Sequence, residues 1–154
     1  MRFRASADLF PKAQMKKRII IADDDPIIIN LVALRLGLAN FEVLSAGNGH
    51  QALQMIHAAE PLMAILDVQM PGKSGLEVLS EIKADSHTNK LPVMMLTGER
   101  DNETVMQAVG AGAADFMVKP FHPDRLLERV SRLVKSSAQV WTATPKGSAD
   151  YWEI

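Results

Sequence analysis

Residues 63–72 read Met-Ala-Ile-Leu-Asp-Val-Gln-Met-Pro-Gly, an apolar run that ends on a carboxylate and a turn. Three further runs have this form, and they are residues 19–22 before Asp23, residues 93–96 before Thr97, and residues 116–118 before Lys119. Continuous apolar runs of this length, separated by helix-like stretches, are typical of strands buried on both faces of a parallel sheet. Because ligands bind at the carboxyl ends of the strands in such sheets, we expect the polar residues after the four runs to share one edge.

Strand and helix patterns alternate five times along the central part of the chain. We expect strands at 18–22, 42–46, 62–66, 92–96 and 115–118, and helices at 26–39, 49–59, after 74, at 102–110 and at 123–135. Pro26 suits a first helical turn, and Asp25 and Ser74 can cap helices. Since parallel strands need right-handed crossover connections, the pattern predicts a doubly wound α/β sheet with helices on both faces.

The composition is that of one globular domain with a substantial core: 154 residues, 47% hydrophobic and 23% charged. A net charge of −1 provides no basic excess for binding nucleic acid or a membrane surface. The lack of Cys excludes disulfides, thiolate nucleophiles and thiolate metal sites. No run approaches the ~18 apolar residues of a membrane span, and no signal-peptide centre precedes Lys17, so we expect a cytoplasmic protein.

Two terminal segments lie outside the alternating pattern. We expect residues 1–16 to be an N-terminal extension or an expression remnant, residues 17–136 to form the domain, and residues 137–154 to be a C-terminal tail. The tail is rich in Ser, Thr, Pro and Gly and ends in Tyr151-Trp152-Glu153-Ile154. No output domain fits within it, and this ending favours a stand-alone domain over one cut from a larger protein.

The acidic run Asp23-Asp24-Asp25 could hold a metal ion. Adjacent carboxylates beside a buried strand repel one another, and a bound cation would relieve that repulsion. Mg²⁺ takes oxygen ligands in an octahedron, usually one or two carboxylates with waters and phosphate. The alternative is that acids after a strand only cap the next helix, and this alternative applies most to Asp25.

Three further side chains could handle a phosphoryl group. The carboxylate of Asp67 can attack phosphorus and form an acyl phosphate, while the hydroxyl of Thr97 and the ammonium of Lys119 can bind phosphoryl oxygens. Taken singly, each has a plainer explanation, namely a turn-forming Asp, a strand-end Thr and a solvated Lys. Taken together, they supply each group that phosphoryl chemistry needs, once each, at the ends of separate strands.

In these motifs the chain resembles the receiver domain of the two-component response regulators, of the single-domain kind found among chemotaxis regulators. The resemblance covers about residues 17–136. It rests on four motifs, which are Asp23-Asp24, the run Asp67-Val68-Gln69-Met70-Pro71-Gly72 with Ser74-Gly75, the pair Thr97-Gly98, and Lys119-Pro120-Phe121. The resemblance implies a flavodoxin-like five-stranded sheet in the order 2-1-3-4-5 with five helices.

The resemblance implies that Asp67 accepts a phosphoryl group from a phosphohistidine on a sensor histidine kinase or a histidine phosphotransfer protein. It also implies Mg²⁺ held by Asp24, Asp67 and the backbone carbonyl of Gln69, with Asp23 acting mainly through water. The chain would then be a signalling phosphoacceptor that assists its own phosphorylation and dephosphorylation, rather than an enzyme.

Further roles also follow from the resemblance. Lys119 and Thr97 would bind the phosphoryl oxygens, and a cis bond before Pro120 would aim the lysine. Thr97 and Phe116 would form a switch that changes the surface of helix four, strand five and helix five for a downstream protein target. Many members carry Tyr where this chain has Phe116, so one hydroxyl contact is absent. The protein would be a monomer or a phosphorylation-dependent dimer, without direct nucleic-acid or membrane binding.

Gln69 and Glu99 lie two residues after Asp67 and Thr97, so we expect them to influence dephosphorylation by positioning or obstructing water. Two other function classes stay open: an aspartate-nucleophile phosphohydrolase, and a degenerate receiver that acts only as an interaction module. The first resembles Asp-x-Asp chemistry, but Gln69 cannot transfer protons as its second carboxylate would. The presence of all expected site residues argues against the second.

The first helix is more apolar than one buried face requires. Its Ile and Leu residues lie on all sides between positions 27 and 38, so some of them must face outward. One hypothesis is a docking patch for the phosphodonor beside the acidic site. Ordinary scattered exposed apolar residues explain the pattern equally well.

Overall fold

The computed structural model describes residues 17–98 and 102–136, and in these ranges five parallel strands form one sheet with five helices. The sheet order is β2-β1-β3-β4-β5, which confirms the predicted flavodoxin-like topology. The strands are β1 (Lys17–Ala22), β2 (Phe41–Ala46), β3 (Met63–Asp67), β4 (Val93–Thr97) and β5 (Asp115–Val118). The helices are α1 (Pro26–Leu38), α2 (Gly49–Ala59), α3 (Gly75–Ala84), α4 (Asn102–Gly110) and α5 (Pro123–Ser136). The predictions for 1–16, for 137–154 and for Glu99 lie outside the described residues.

Two apolar layers cover the sheet, because successive side chains of a strand point to opposite faces. The layer under α2, α3 and α4 is built on Ile20, Ala22, Ala64, Leu66, Val93 and Met95. The layer under α1 and α5 is built on Ile19, Ile21, Met63, Ile65, Met94 and Leu96. Every residue of β3 and of β4 is buried, which explains why their sequences are continuous apolar runs.

β3 and β4 each lie one residue further along the chain than predicted, so that they include Asp67 and Thr97. In the parallel ladder Asp67 pairs with Leu96, and Thr97 pairs with Val118. The two polar residues are therefore the last paired positions of the sheet and not the first residues of loops. Backbone pairing thus fixes where their side chains emerge.

α1 and α3 begin at the predicted caps. The Asp25 side chain accepts a hydrogen bond from the Ile27 N–H at 2.9 Å. Ser74 and Glu77 form a capping box, in which Ser74 Oγ accepts from the Glu77 N–H at 3.2 Å and Glu77 Oε1 accepts from the Ser74 N–H at 2.8 Å. These caps hold the loops that follow β1 and β3.

α1 carries apolar side chains both toward the sheet and away from it. Val32 and Leu36 are fully buried, whereas Ile27, Leu34 and Leu38 are 73%, 65% and 74% exposed. The expectation that part of this apolar surface faces outward is confirmed. None of the helices in the described ranges combines the length and apolarity that a membrane crossing requires.

Candidate functional site

A cleft of about 560 Å³ opens at the carboxyl edge of the sheet, next to the ends of β3, β4 and β5. Its lining consists of Asp24, Asp67, Gln69, Met70, Pro71, Thr97, Gly98 and Lys119. Neighbouring strands lie only about 4.8 Å apart, so residues far apart in sequence meet here. Five residues singled out from the sequence therefore share this cleft.

Three carboxylates meet beside the cleft. Asp23, Asp24 and Asp67 each offer an oxygen that lies within 4.8 Å of the others. Asp23 is fully buried and Asp67 is 6% exposed, whereas Asp24 faces solvent. The Asp25 N–H donates to Asp23 Oδ1 at 2.9 Å and so orients the buried carboxylate. Carboxylates held this close, with two of the three buried, favour the binding of a cation.

Lys119 brings a positive charge to two of these carboxylates. Its Nζ lies 3.3 Å from Asp67 Oδ2, to which it donates a hydrogen bond, and 2.8 Å from Asp23 Oδ2. The contact with Asp23 is an ion pair, and the buried Asp23 Oδ2 accepts no hydrogen bond of regular geometry from any described residue. One ammonium thus lies among three carboxylates, two of which it contacts, and the site keeps a net negative charge.

The site shifts the proton equilibria of its two central groups. Burial, together with the charge of Asp23, raises the pKa of Asp67 from 3.8 to about 6, and Lys119 opposes part of this rise. Burial lowers the pKa of Lys119, but the contacts with Asp23 and Asp67 outweigh it, so this pKa lies above its ordinary value. At neutral pH the site therefore presents an ionised carboxylate beside a protonated amine.

The loop after β3 positions Asp67. The Gln69 N–H lies 3.4 Å from Asp67 Oδ1, and the Gln69 side chain is exposed. The Gly75 N–H donates to the Val68 carbonyl at 2.9 Å, and a Cβ added at Gly75 would lie 1.9 Å from the Asp67 carbonyl oxygen. Sequence reasoning missed this role of Gly75. The sequence signal that indicates this role is the presence of a glycine, which is a poor helix former, at the first position of a helix.

The remaining candidate residues lie at the ends of β4 and β5. Thr97 is 4% exposed, and its carbonyl accepts a hydrogen bond from the Lys119 N–H at 2.7 Å, which ties the two strand ends together. The Lys119–Pro120 peptide bond is cis. Phe116 is partly buried in the layer under α2, α3 and α4, and its carbonyl accepts from Arg129 at 3.2 Å.

The sequence matches the family model of the response regulator receiver domain over residues 19–131. Among curated proteins it is similar to the DNA-binding response regulator MtrA of Mycolicibacterium smegmatis, with 34% identity over 116 residues, 75% of this chain and 50% of that protein. It is also similar to the phosphate regulon transcriptional regulatory protein PhoB of Pseudomonas aeruginosa, with 34% identity over 119 residues, 77% of this chain and 52% of that protein. The chain thus spans about half the length of these relatives.

Solved structures of the same fold cover more than three quarters of this chain. The chemotaxis response regulator CheY4 of Vibrio cholerae is similar with a TM-score of 0.72 and 31% identity, covering 77% of this chain and 99% of that one. A putative response regulator from Chloroflexus aurantiacus is similar with a TM-score of 0.75 and 33% identity, covering 79% and 99%. Fold, acidic cleft and sequence agree, and the chain belongs to the receiver domain family of the response regulators, which serve phosphorylation-based two-component signalling.

Proposed function

We propose that Asp67 is the phosphoacceptor of this receiver domain and takes its phosphoryl group from a phosphohistidine on a sensor histidine kinase or a histidine phosphotransfer protein. The observation that carries this proposal is the position of the Asp67 carboxylate in the cleft, 3.3 Å from Lys119 Nζ and beside two more carboxylates. A carboxylate nucleophile and a fixed cation at one open edge suit phosphoryl transfer, whose catalysis is mainly positioning and charge stabilisation.

In the proposed transfer an oxygen of Asp67 attacks the phosphorus of the phosphohistidine. The new O–P bond forms as the N–P bond breaks, and the electron pair of the broken bond stays on the imidazole nitrogen of the donor. Lys119 Nζ and the Thr97 hydroxyl would donate hydrogen bonds to the phosphoryl oxygens. The backbone hydrogen bond between Lys119 and Thr97 holds these two groups on adjacent strand ends.

The donor set of the site fits Mg²⁺. Asp23, Asp24, Asp67 and the backbone carbonyl of Gln69 would hold the ion, with Asp23 acting mainly through water. All of these ligands are oxygens, which Mg²⁺ prefers, and the buried Asp23 Oδ2 accepts no hydrogen bond from the described residues. The bound ion would neutralise the acidic cluster and the charge of the phosphoryl group.

The two alternative function classes have less support. A phosphohydrolase of the Asp-x-Asp type needs a second carboxylate as its general acid/base, and the amide of Gln69 cannot transfer protons in that way. Each described helix also packs on one of the two faces of the sheet, so none of the helices in residues 17–98 and 102–136 forms a cap that would enclose a substrate over the cleft. A degenerate receiver would lack part of the site, yet Asp67, Thr97 and Lys119 all line the cleft. A signalling phosphoacceptor is therefore favoured over an enzyme that turns over a separate substrate.

The output of the proposed switch would be the surface of α4, β5 and α5. Thr97 would turn toward the phosphoryl group, and Phe116 would move inward from its partly buried position. Met106 and Val109 on α4 are 71% and 63% exposed, and a downstream protein target could cover them. The same surface could pair two receivers in a phosphorylation-dependent dimer.

Gln69 is exposed at the rim of the cleft, and Glu99 follows β4 by two residues, outside the described residues. From such positions their side chains would act on the water that hydrolyses the acyl phosphate. The half-lives of phosphorylated Gln69→Ala and Glu99→Ala variants test this role. Half-lives equal to that of the unchanged protein would contradict it.

The proposed function is tested by phosphorylation with acetyl phosphate, a small donor that needs no kinase. In Mg²⁺ the intact chain is expected to gain the mass of one phosphoryl group, and hydroxylamine is expected to remove it because it cleaves acyl phosphates. In EDTA the uptake is expected to fall strongly, since the acidic cluster then lacks its cation. An adduct that resists hydroxylamine, or that forms equally fast in EDTA, would refute the proposal.

A further inference from the structure

Residues 46–49 contact both halves of the acidic site from behind the cleft, and we call them the β2–α2 turn. On one side, the Ala46 carbonyl accepts a hydrogen bond from the Asp23 N–H at 3.1 Å, which continues the ladder of β1 and β2 beyond its last pair. On the other side, Gly49 lies against Lys73 in the loop between β3 and α3. The turn therefore connects the carboxylates after β1 with the loop that follows Asp67.

Gly49 allows the start of α2 and the β3–α3 loop to approach each other closely. It is buried at the first position of α2. A Cβ added there would overlap the Lys73 carbonyl oxygen, and it would lie 2.8 Å from Lys73 Cβ and 2.9 Å from Val78 Cγ2. Because the overlapped oxygen belongs to the backbone, a change of rotamer would not remove the overlap. A side chain at this position would therefore displace the helix or the loop.

The β2–α2 turn is itself held in place by two side-chain hydrogen bonds. Asn48 caps α2, since its Oδ1 accepts from the Gln51 N–H at 2.8 Å. Gln51 Oε1 in turn accepts from the Gly47 N–H at 2.9 Å. These bonds join the turn to the first turn of α2, so together they present a fixed surface to the β3–α3 loop.

The loop in contact with this surface carries the backbone carbonyl of Gln69, a proposed ligand of the ion. Only three residues separate Gln69 from Lys73. Of these, Met70 is buried and Pro71 has its φ angle fixed by the ring, so the segment has little freedom to absorb a displacement. Lys73 is also held from its other side by an ion pair with Glu81 of α3. A shift of Lys73 would therefore move the Gln69 carbonyl.

We propose that Gly49 is a positioning residue for Mg²⁺ and acts through Lys73 on the Gln69 carbonyl. The contact sets the spacing between this carbonyl and the carboxylates after β1. Mg²⁺ demands near-ideal octahedral geometry with oxygens at about 2.0–2.1 Å, whereas Ca²⁺ accepts irregular geometry at about 2.3–2.6 Å. The β2–α2 turn therefore favours Mg²⁺ over Ca²⁺. This inference rests on the Mg²⁺ site of the proposed function.

Gly49→Ala tests the proposal. We expect its Mg²⁺ affinity to fall about tenfold, as it does for other changes one step removed from a metal ligand, and its Ca²⁺ affinity to fall less than about twofold. Calorimetric titration of the full chain with each ion, without a phosphodonor, measures both affinities. A residue that only stabilised the fold would lower the melting temperature and leave the preference for Mg²⁺ unchanged. An unchanged Mg²⁺ affinity, or an equal loss for both ions, would overturn the proposal.

Gly47→Ala is the matched control. It adds the same methyl group two residues earlier in the β2–α2 turn, where nothing lies within 4 Å of the added Cβ. Its Mg²⁺ affinity should stay within about twofold of that of the intact chain. Equal losses in Gly47→Ala and Gly49→Ala would refute the steric mechanism, because the effect would then not depend on the contact with Lys73.

Asn48→Ala loosens the same turn without a clash, and it decides the question if Gly49→Ala does not fold. Removal of the cap costs only about 1 kcal/mol and releases the turn from the Gln51 N–H. We expect Mg²⁺ to bind at least about threefold more weakly and Ca²⁺ to bind as before. In that case, a Mg²⁺ affinity equal to that of the intact chain would overturn the proposal.

The titrations separate this inference from the proposed function. If the intact chain binds no Mg²⁺, the proposed ion site is wrong, and the role of Gly49 is refuted with it. If the intact chain binds Mg²⁺ and takes up a phosphoryl group, while Gly49→Ala binds Mg²⁺ equally well, only the role of Gly49 is refuted. Weaker Mg²⁺ binding by Gly49→Ala supports the inference even if Asp67 is not the phosphoacceptor.

Discussion

Replacing Asp67 by Asn is expected to abolish phosphoryl uptake, with a loss of at least ~10³-fold in rate. The amide keeps the shape of the carboxyl group but removes the nucleophilic oxygen that would form the acyl phosphate. Lys119 and the other lining residues of the cleft remain in place. The measurement is the mass gain of the intact chain in acetyl phosphate and Mg²⁺, followed over time for both proteins.

The same variant is expected to be more stable than the unchanged protein in EDTA at neutral pH. The pKa of Asp67 is 3.8 in the unfolded chain and about 6 in the folded one, so folding favours its protonated form. The contribution of Asp67 to the free energy of unfolding therefore falls as the pH rises from 3.8 to about 6, whereas Asn does not titrate. One pKa unit corresponds to about 1.4 kcal/mol, so the Asn variant should gain about 1–3 kcal/mol above the window and little below it.

Urea unfolding in EDTA across the pH range measures this gain. A difference that does not change with pH would contradict the link to Asp67 ionisation. The matched control is Asp25→Asn, which removes an exposed carboxylate next to the cluster and keeps the helix cap, since Asn caps as well as Asp. Asp25→Asn should retain phosphoryl uptake, whereas uptake at the normal rate by Asp67→Asn would place the phosphoacceptor elsewhere.

The fold could be predicted from the sequence where strands are buried on both faces, because such strands contain only apolar residues in a continuous run. β3 and β4 are buried along their whole length, so each is a continuous apolar run that marks a central parallel strand. α1 could not be resolved in the same way, because its apolar residues lie on all sides and carry no preferred face. Its burial pattern, with Leu36 inside and Leu34 outside, depends on packing against α5 and the sheet.

The sequence predicts at which edge of the sheet the site lies, but it does not predict which side chains of the site contact one another. Strand direction alone brings Asp67, Thr97 and Lys119 to one edge. The closer approach of Lys119 to Asp23 than to Asp67 depends on side-chain rotamers and strand register, which sequence patterns do not specify. The burial of Asp23 beside an exposed Asp24 has the same origin, since the direction of the chain after β1 decides which carboxylate faces inward.

Gly75→Ala is expected to destabilise the fold by about 3 kcal/mol or more. The added Cβ would lie 1.9 Å from the Asp67 carbonyl oxygen and 2.8 Å from its carbon. Both atoms belong to the backbone of a buried and paired strand end. The clash therefore cannot be removed by a change of rotamer or by a shift of these atoms into solvent. Either α3 or the loop that carries Asp67 must move. Urea unfolding and the rate of phosphoryl uptake would measure the two consequences.

Gly110→Ala separates this clash from the general effect of adding a methyl group to a helix. Gly110 is the last residue of α4, and an added Cβ there has nothing within 4 Å. Alanine is favoured over glycine in helices by about 1 kcal/mol, so the control should keep or slightly raise stability. If Gly75→Ala behaves in the same way, the close approach of α3 to β3 does not hold the site. If instead Gly75→Ala is destabilised but takes up phosphoryl at the normal rate, then α3 yields, and the backbone pairing of Asp67 with β4 alone is sufficient to position the carboxylate.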